Sequence, residues 1–431
     1  MKTCLIVLPN PVLESPRMQV PLGVLYLGAV LEKEGYDIFI TDMRAEYKLN
    51  PNLIPRGYDI YGVTATTAEY NYAKQLGEWL RIKEPKAKLI IGGPHATHLP
   101  METLKETEYD IAVIGEGEET ILDLASQKDL SSIPGIAYKH HTLIDVTKPR
   151  PLIKNLDIIP FPARHLLPYD HTFTRDLYPG ARYGYGEPAT ALITERGCPF
   201  RCAYCANWDR GLRLRSIENV VKEVEECIEV FHCRHFKIID DEFGVPKSRA
   251  LKLCEALEPL NIKFRAATRV DMVDLELLKA FKKAGCEEIA FGVETPDETI
   301  LKAMNKRQTL EQCKNAVKWA KEAGLRVKTY FMVCLPKETW ESVEKLKAFV
   351  REAKPDKWTL STFIPYPGCD IWANPEKYGV KILEKDFSKY WLYQDNSMIE
   401  TDVASRDELN QHRIHLFKWL LNYDRERGLI D

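Results

Sequence analysis

The sequence predicts an α/β fold in two parts: an open doubly wound parallel sheet, then six further β/α units forming a partial barrel, with a small helical and aromatic region at the C-terminal end. Three observations lead there. Short β-branched runs alternate with longer amphipathic stretches over about the first 125 residues. The alternation dissolves into a proline-rich stretch and restarts at Thr190 for six more rounds. A chain of 431 residues is also long enough to bury two or three separate cores.

In the first part, strands are expected at residues 4–8, 37–41, 60–64, 88–91 and 110–114, and helices over 22–34, 68–83 and 118–126. The βαβ rhythm implies a parallel sheet covered on both faces. Turn chemistry closes the strands: Pro-Asn-Pro at 9–11, Thr-Ala-Thr-Thr at 64–67, Gly-Gly-Pro-His-Ala-Thr at 92–97 and Gly-Glu-Gly-Glu at 115–118. In an open α/β sheet such carboxyl-end loops form the ligand crevice. A first domain over residues 1–132 is followed by a hairpin and linker over 133–184, in which five prolines between Pro149 and Pro168 disfavour regular helix.

The second domain, residues 185–370, is expected to place strands at 191–194, 236–239, 264–267, 288–291, 327–332 and 358–362, six β/α units of an open barrel. Residues 371–431 turn aromatic (Trp372, Tyr378, Phe387, Tyr390, Trp391) and end in a helix with apolar residues at 416, 417, 420 and 421.

Composition excludes some classes of function. With 45% hydrophobic and 29% charged residues and a formal net charge of −3, nothing electrostatic points to nucleic acid. No apolar run reaches membrane-spanning length, and no basic-then-apolar leader opens the sequence. Eleven cysteines, an odd number without disulfide-scaffold spacing, fit a reducing compartment, so the expected location is the cytoplasm.

Chemistry concentrates in Cys198, Cys202 and Cys205, a C-x3-C-x2-C run directly after the strand expected at 191–194. Three thiolates on one tight loop hold iron and sulfur. A cubane cluster normally takes four cysteines, so three local ligands leave one iron open, as a catalytic metal site requires. Zinc would need a fourth Cys or His at similar range, and His232 and His235 lie beyond a whole predicted helix.

This spacing, with Tyr204 before the last cysteine, resembles the radical S-adenosylmethionine (radical SAM) superfamily. The resemblance implies a 4Fe-4S cluster whose open iron chelates SAM. One-electron cleavage then yields methionine and a 5′-deoxyadenosyl radical that abstracts hydrogen from an unactivated carbon, with an electron donor such as flavodoxin or ferredoxin. "MNKRQT" (304–309), "FMVCLPKET" (331–339) and "FIPYPGCD" (363–370) continue the likeness. The first domain resembles the cobalamin-binding domain ahead of one branch of these enzymes, through "VPLGVLYLGAVLEKEGYDIFITDMR", "IIGGPHAT" and "VIGEGEET". That implies backbone approach of the corrinoid tail at Gly92 and Gly93, a channel lined by Thr64, Thr66 and Thr67, and further cobalamin contacts at Gly115 and Glu116. The first loop, "PNPVLESPR", lacks the D-x-H-x-x-G motif whose His ligates cobalt in the corrinoid mutases, so no His is expected beneath the cobalt. His95 and His98 are expected to be solvated loop residues.

By the same resemblance, the SAM contacts are Tyr204, Arg269, Gly292 and Glu294. Arg269 follows the third barrel strand, and its guanidinium suits bidentate pairing with the SAM carboxylate. Asp240, Asp241 and Glu242 end the second strand, either facing SAM and substrate or capping the next helix. Cys369, after a Pro-Gly turn, is either a substrate or metal contact or a small buried hydrophobe. Asp240, Asp241 and Cys369 are therefore the catalytic candidates. The expected activity is cobalamin-dependent radical SAM methylation of an unactivated carbon in a small molecule or peptide. The alternative is a non-methylating reaction on the same architecture: cyclisation, ring contraction or carbon–carbon coupling. A non-catalytic sensor would have no use for an open iron.

Overall fold

The computed structural model describes residues 1–10, 17, 19–46, 48–175 and 187–429. Most of the loop expected after the first strand, and the end of the expected linker at 176–184, lie outside the described residues. The chain divides into two compact units, Met1–Ala191 with Glu226–Cys233, and Leu192–Glu225 with Arg234–Asp431.

The first unit runs β1 (Lys2–Val7), α1 (Leu22–Lys33), β2 (Asp37–Asp42), β3 (Ile60–Thr64), α2 (Tyr70–Lys83), β4 (Lys88–Gly92), α3 (Pro94–His98), α4 (Pro100–Glu106), β5 (Ile111–Val113), α5 (Glu118–Ala125), β6 (Ile136–His140) and β7 (Leu143–Val146), with the short α6 (Tyr169–Thr172) further on. Its sheet has the order β2-β1-β3-β4-β5-β6-β7. The strands β1 to β5 are parallel, whereas β6 and β7 pair antiparallel. The hairpin, expected to belong to the linker, thus extends the sheet, because β5 has a free edge that β6 satisfies. One core layer packs Ile6, Tyr61, Val63, Leu89 and Ile91 against Ala73, Leu76 and Leu80, the face that α2 repeats every three to four residues. A capping box between Thr66 and Glu69 starts the turn leading into α2. The strand order reverses between β1 and β3, which sets the crevice at the carboxyl ends of those two strands, and the loops after β4 and β5 lie along the same sheet edge.

The second unit carries a sheet ordered β15-β14-β13-β12-β11-β8. In chain order its elements are β8 (Ala189–Leu192), which spans the division, β9 (Glu195–Arg196), β10 (Arg213–Leu214), α7 (Ile217–Glu229), β11 (His235–Ile238), α8 (Lys247–Leu257), β12 (Lys263–Thr268), α9 (Leu275–Lys283), β13 (Cys286–Glu294), α10 (Glu298–Ala303), α11 (Leu310–Glu322), β14 (Arg326–Val333), α12 (Trp340–Ala353) and β15 (Lys357–Thr362). The pairings from β11 to β15 are all parallel. Side-chain caps start the helices: Asp274 for α9, and capping boxes at Thr309 for α11 and Thr339 for α12. Beyond residue 369 come α13 (Asp370–Ala373), an antiparallel pair β16 (Val380–Ile382) and β17 (Ile399–Thr401) that the aromatic content concealed, and α14 (Arg406–Glu426). Leu416 and Leu420 of α14 are buried as its spacing predicts, while Phe417 stays exposed.

Candidate active site

The three-cysteine loop leaves the sheet at β8 and is held open by its own polar residues. The carbonyl of Asp209 accepts from the Cys198 N–H at 3.1 Å, and its carboxylate takes the Arg213 guanidinium at 2.5 Å. Arg210 reaches back to the carbonyls of Phe200 and Cys205. Two neighbours pin the far side: the Ala203 N–H donates to Met304 O at 2.8 Å, and the Ile371 N–H donates to Ala203 O at 3.1 Å. The thiols accept from nearby donors, Cys205 Sγ from the Asn207 N–H at 3.4 Å and Cys202 Sγ from Arg269 Nη1 at 3.5 Å. Burial pushes the Cys198 thiol up to about 11 and raises that of Cys205.

Beside the loop, Tyr204, Glu294 and Lys306 form one contact set. The Tyr204 hydroxyl donates to Glu294 Oε1 at 3.1 Å, and the Lys306 ammonium donates to the same oxygen at 2.9 Å and to the hydroxyl at 3.0 Å. Burial, then Glu294, keeps Tyr204 a neutral phenol. Burial opposes the charge on Lys306, but Glu294 and Cys202 outweigh it and the ammonium persists. Glu294 has a φ of 62°, and the β13–β14 register slips between Gly292 and Glu294. A left-handed non-glycine residue at a bulge is strained backbone held in place by its surroundings, a common signature of a functional site. Gly292 makes room for it, since a Cβ there would lie 2.7 Å from Glu294 Oε1. Lys306, in "MNKRQT", was not among the expected contacts, because only the fold brings it to Glu294.

Arg269 does not hold the position expected of it. Its fork is closed on Asp271, Nε to Oδ1 at 2.9 Å and Nη2 to Oδ2 at 2.8 Å, and Nη2 also donates to Lys306 O. The guanidinium lies over the Phe200 ring at 3.9 Å and touches Cys202, so it braces the cysteine loop and has no bidentate face left for a ligand carboxylate.

The acidic turn after β11 divides by residue. Asp240 is buried and accepts from the Thr194 N–H at 2.7 Å, the Thr194 hydroxyl at 2.6 Å and the Glu195 N–H, with burial pushing its carboxyl up to about 6. Glu242 accepts from the Thr268 hydroxyl and the Arg269 N–H. Both tie adjacent strand ends together. Asp241 is exposed and interacts with Asn207 and the Gly197 N–H, so of the three it alone faces outward beside the cysteine loop. Cys369 is fully buried, accepts from the Trp372 N–H at 3.3 Å and caps α13, and burial pushes its thiol up to about 11.

In the first unit, Gly92, Gly93, Gly115 and Glu116 are half-buried along the carboxyl edge of β4 and β5, and Thr66 is exposed. A Cβ on Gly92 would meet nothing closer than Val113 at 3.7 Å, whereas one on Gly93 (φ 93°) would lie 2.8 Å from Ala65 O and Thr64 Oγ1. Thr64 therefore packs on Gly93. The Thr67 hydroxyl contacts His95 at 3.3 Å, the Gly115 N–H donates to Thr97, and Glu116 accepts from the Ile153 N–H. His95, expected to be solvated, is 1% exposed, stacks on Tyr70 at 3.9 Å and is held neutral by burial, at about 4.

No three His, Cys, Asp or Glu side chains among the described residues converge on one point as ligands of a single metal ion would. Cubane ligation has no such requirement, since each cysteine binds a different iron. The donor set fits a cluster: three thiols on one loop, with N–H and guanidinium donors aimed at two of the sulfurs. The open edge at Gly92 and Thr66 fits close approach of a corrinoid.

A loop of three cysteines after the first strand of a six-stranded β/α sheet defines a radical SAM enzyme, and a family model described as the radical SAM superfamily matches residues 192–350. A second, described as the B12 binding domain, matches residues 12–125. An uncharacterised methyltransferase of Pyrococcus horikoshii is 32% identical over 86% of this chain and 83% of its own length. The anaerobic magnesium-protoporphyrin IX monomethyl ester cyclase of Rubrivivax gelatinosus is 29% identical over 94% of this chain and 76% of that protein. The fold is also that of the methyltransferase TsrM from Kitasatospora setae, solved with cobalamin and a 4Fe-4S cluster, at a TM-score of 0.70 and 17% identity over 90% of this chain and 78% of that one. The chain belongs to the cobalamin-dependent radical SAM enzymes, whose cofactors are a 4Fe-4S cluster, SAM and cobalamin.

Proposed function

We infer that this enzyme is a methyltransferase that methylates an unactivated carbon of a small molecule or peptide, and that Cys198, Cys202 and Cys205 hold its cluster. The observation carrying this reading is the three-cysteine loop beside the Tyr204–Glu294–Lys306 set, in a chain that also bears a B12 binding domain. When bound, the cofactors supply one-electron cleavage of SAM and the methyl group. The protein positions and insulates. The strained Glu294 offers its carboxylate to the amino or ribose groups of SAM, with Lys306 and Tyr204 fixing its direction. Arg269, clamped by Asp271, balances negative charge beside Cys202. Asp241 is the exposed acid beside the loop and the group available to a substrate. Cys369 and Asp240 are structural in this reading. The outer edge at Gly92, Thr66 and Glu116 takes the corrinoid.

The reaction class needs a reductant, which we assign to a flavodoxin- or ferredoxin-type protein in the cytoplasm. No helix among the described residues is long and apolar enough to cross a membrane. Similarity to the Rubrivivax cyclase favours one second reading, a non-methylating reaction on the same architecture. Anaerobic reconstitution with cobalamin, followed by mass spectrometry of the SAM products, separates the two. S-adenosylhomocysteine together with 5′-deoxyadenosine is expected; deoxyadenosine alone would turn the assignment to the second reading.

A further inference from the structure

Along the second unit's strands, one set of alternate residues is buried and apolar, while the other set on β11, β12 and β14 is only partly buried: Lys237, then Arg265 and Ala267, then Lys328, Tyr330 and Met332. A packed barrel fills its interior face with Val, Ile and Leu. This one carries five cations, Lys237, Arg265, Arg326, Lys328 and Lys357, around one carboxylate among the described residues, Glu288. The grouping follows from register: Lys237 lies opposite Arg265, Arg265 opposite Glu288, and Lys328 opposite Lys357.

Glu288 cannot serve them all. One of its oxygens takes Lys357 at 2.9 Å and the other lies 3.9 Å from Arg265. Lys237 makes no side-chain hydrogen bond or ion pair among the described residues, and Lys328 has the Tyr330 ring 4.9 Å from its ammonium and a share of the Glu288 charge. Burial, reinforced by Arg265 and Lys328, pushes Lys237 down to about 8. Burial likewise pushes Lys328 down to about 8, with Glu288 opposing and Arg265 and Lys357 adding. Half-buried cations that outnumber their one carboxylate are unfavourable unless a ligand brings further negative charge. Small side chains follow along the same strands at Ala267 and Ala290, and the room over Gly292 is taken by the Glu294 carboxylate and the Lys306 ammonium. Gly292 is opposite Tyr330, two residues beyond Lys328, which is a step of about 7 Å toward the Glu294 end.

We propose that this cationic floor binds a phosphoryl or phosphonyl group of the substrate, leaving the carbon to be methylated about 7 Å further along the strands, level with Gly292 and Tyr330. The position of the carbon rests on the methyl-transfer reading; the anion site does not. The test is calorimetric titration of the cluster-loaded full chain, without corrinoid, with inorganic pyrophosphate and separately with citrate. Saturable pyrophosphate binding is expected, tighter than citrate, and weakened about tenfold or more in both Lys237→Met and Lys328→Met. Melting temperature checks the fold, and should hold or rise in both variants, because one of the outnumbering cations has been removed. Tighter citrate binding would overturn the phosphoryl assignment in favour of polycarboxylates. No saturable binding, or unchanged binding in both variants, overturns the site even where S-adenosylhomocysteine and 5′-deoxyadenosine are both formed. Binding lost in both variants establishes it whichever products appear.

Discussion

At the scale of single residues, the cluster assignment stands on three thiols of one loop and the donors around two of them. Short-range spacing names Cys198, Cys202 and Cys205 without any fold, so replacing any one with Ala should abolish 5′-deoxyadenosine formation; a variant that cleaves SAM normally would sink the cluster assignment. Glu294 was also visible, as the acid ending a strand, but its partner Lys306 stands twelve positions on and meets it only through the bulge at the end of β13. Lys306→Met should release Glu294 from its fixed direction and weaken SAM binding about tenfold, about 1.4 kcal/mol, while iron content is retained. Equilibrium binding with a parallel iron assay checks this, and unchanged affinity would return Lys306 to structural duty. Arg269 is the residue whose chemistry misled: a guanidinium after a strand suits a carboxylate, and the carboxylate it finds is Asp271, two positions away. Arg269→Lys should therefore alter the cluster's absorbance or midpoint potential more than SAM affinity, because the lost contact is to Cys202.

Strands and helices of the two sheets were readable because apolar runs, periodicity and caps agree with one another. Beyond the sheets, pattern gave way to context. The hairpin β6–β7 joins a sheet edge that no local signal reveals, and the short pair β16–β17 hides in an aromatic stretch. The consecutive glycines at the end of β4 look equivalent in sequence, yet a Cβ on Gly93 would collide with Thr64 and Ala65, while one on Gly92 would make only ordinary contact with Val113 at 3.7 Å. Gly93→Leu would therefore break the turn itself, whereas Gly92→Val should leave the melting temperature nearly unchanged and block corrinoid uptake; retained corrinoid absorbance after gel filtration would remove Gly92 from that surface. At the end of β2, Asp42 is buried between Arg44 and His171. Burial raises its carboxyl, but the hydrogen bonds of His171 and Arg44 outweigh that and hold it well below the usual carboxylate range. A depressed folded pKa gives stability that is complete above the unfolded value near 4 and lost as pH falls below it. Asp42→Asn should cost about 3 kcal/mol at neutral pH and flatten the acid limb of the stability curve, measured by denaturant titration at successive pH values.

Over the whole molecule, the sequence suggests two domains in series, and the chain path is more entangled than that. After entering the second unit at Leu192, the backbone returns residues Glu226–Cys233 to the first before resuming at Arg234. That excursion is invisible to pattern reading, because α7 (Ile217–Glu229) looks like any amphipathic helix of a β/α unit. Its contribution to the first unit is specific. The Phe231 ring stacks on Phe173 at 4.7 Å, Phe173 stacks in turn on Tyr169 at 4.8 Å, the Tyr169 hydroxyl donates to Phe231 O, and the Cys233 thiol donates to Pro188 O. Phe173 is 2% exposed with this segment in place, so a fragment ending at residue 191 would uncover an aromatic face. The fragment 1–191 should accordingly bind a hydrophobic dye and be digested by protease under conditions in which the same region of the full chain survives. Full-length Phe231→Ala should lose about 1–3 kcal/mol, from the stacked pair together with the ring's partial burial. Equal protease resistance of fragment and full chain, with an unshifted Phe231→Ala denaturation midpoint, would show that the returning segment is ornamental to the first unit's stability, and the two units would then be separable at Ala191 after all.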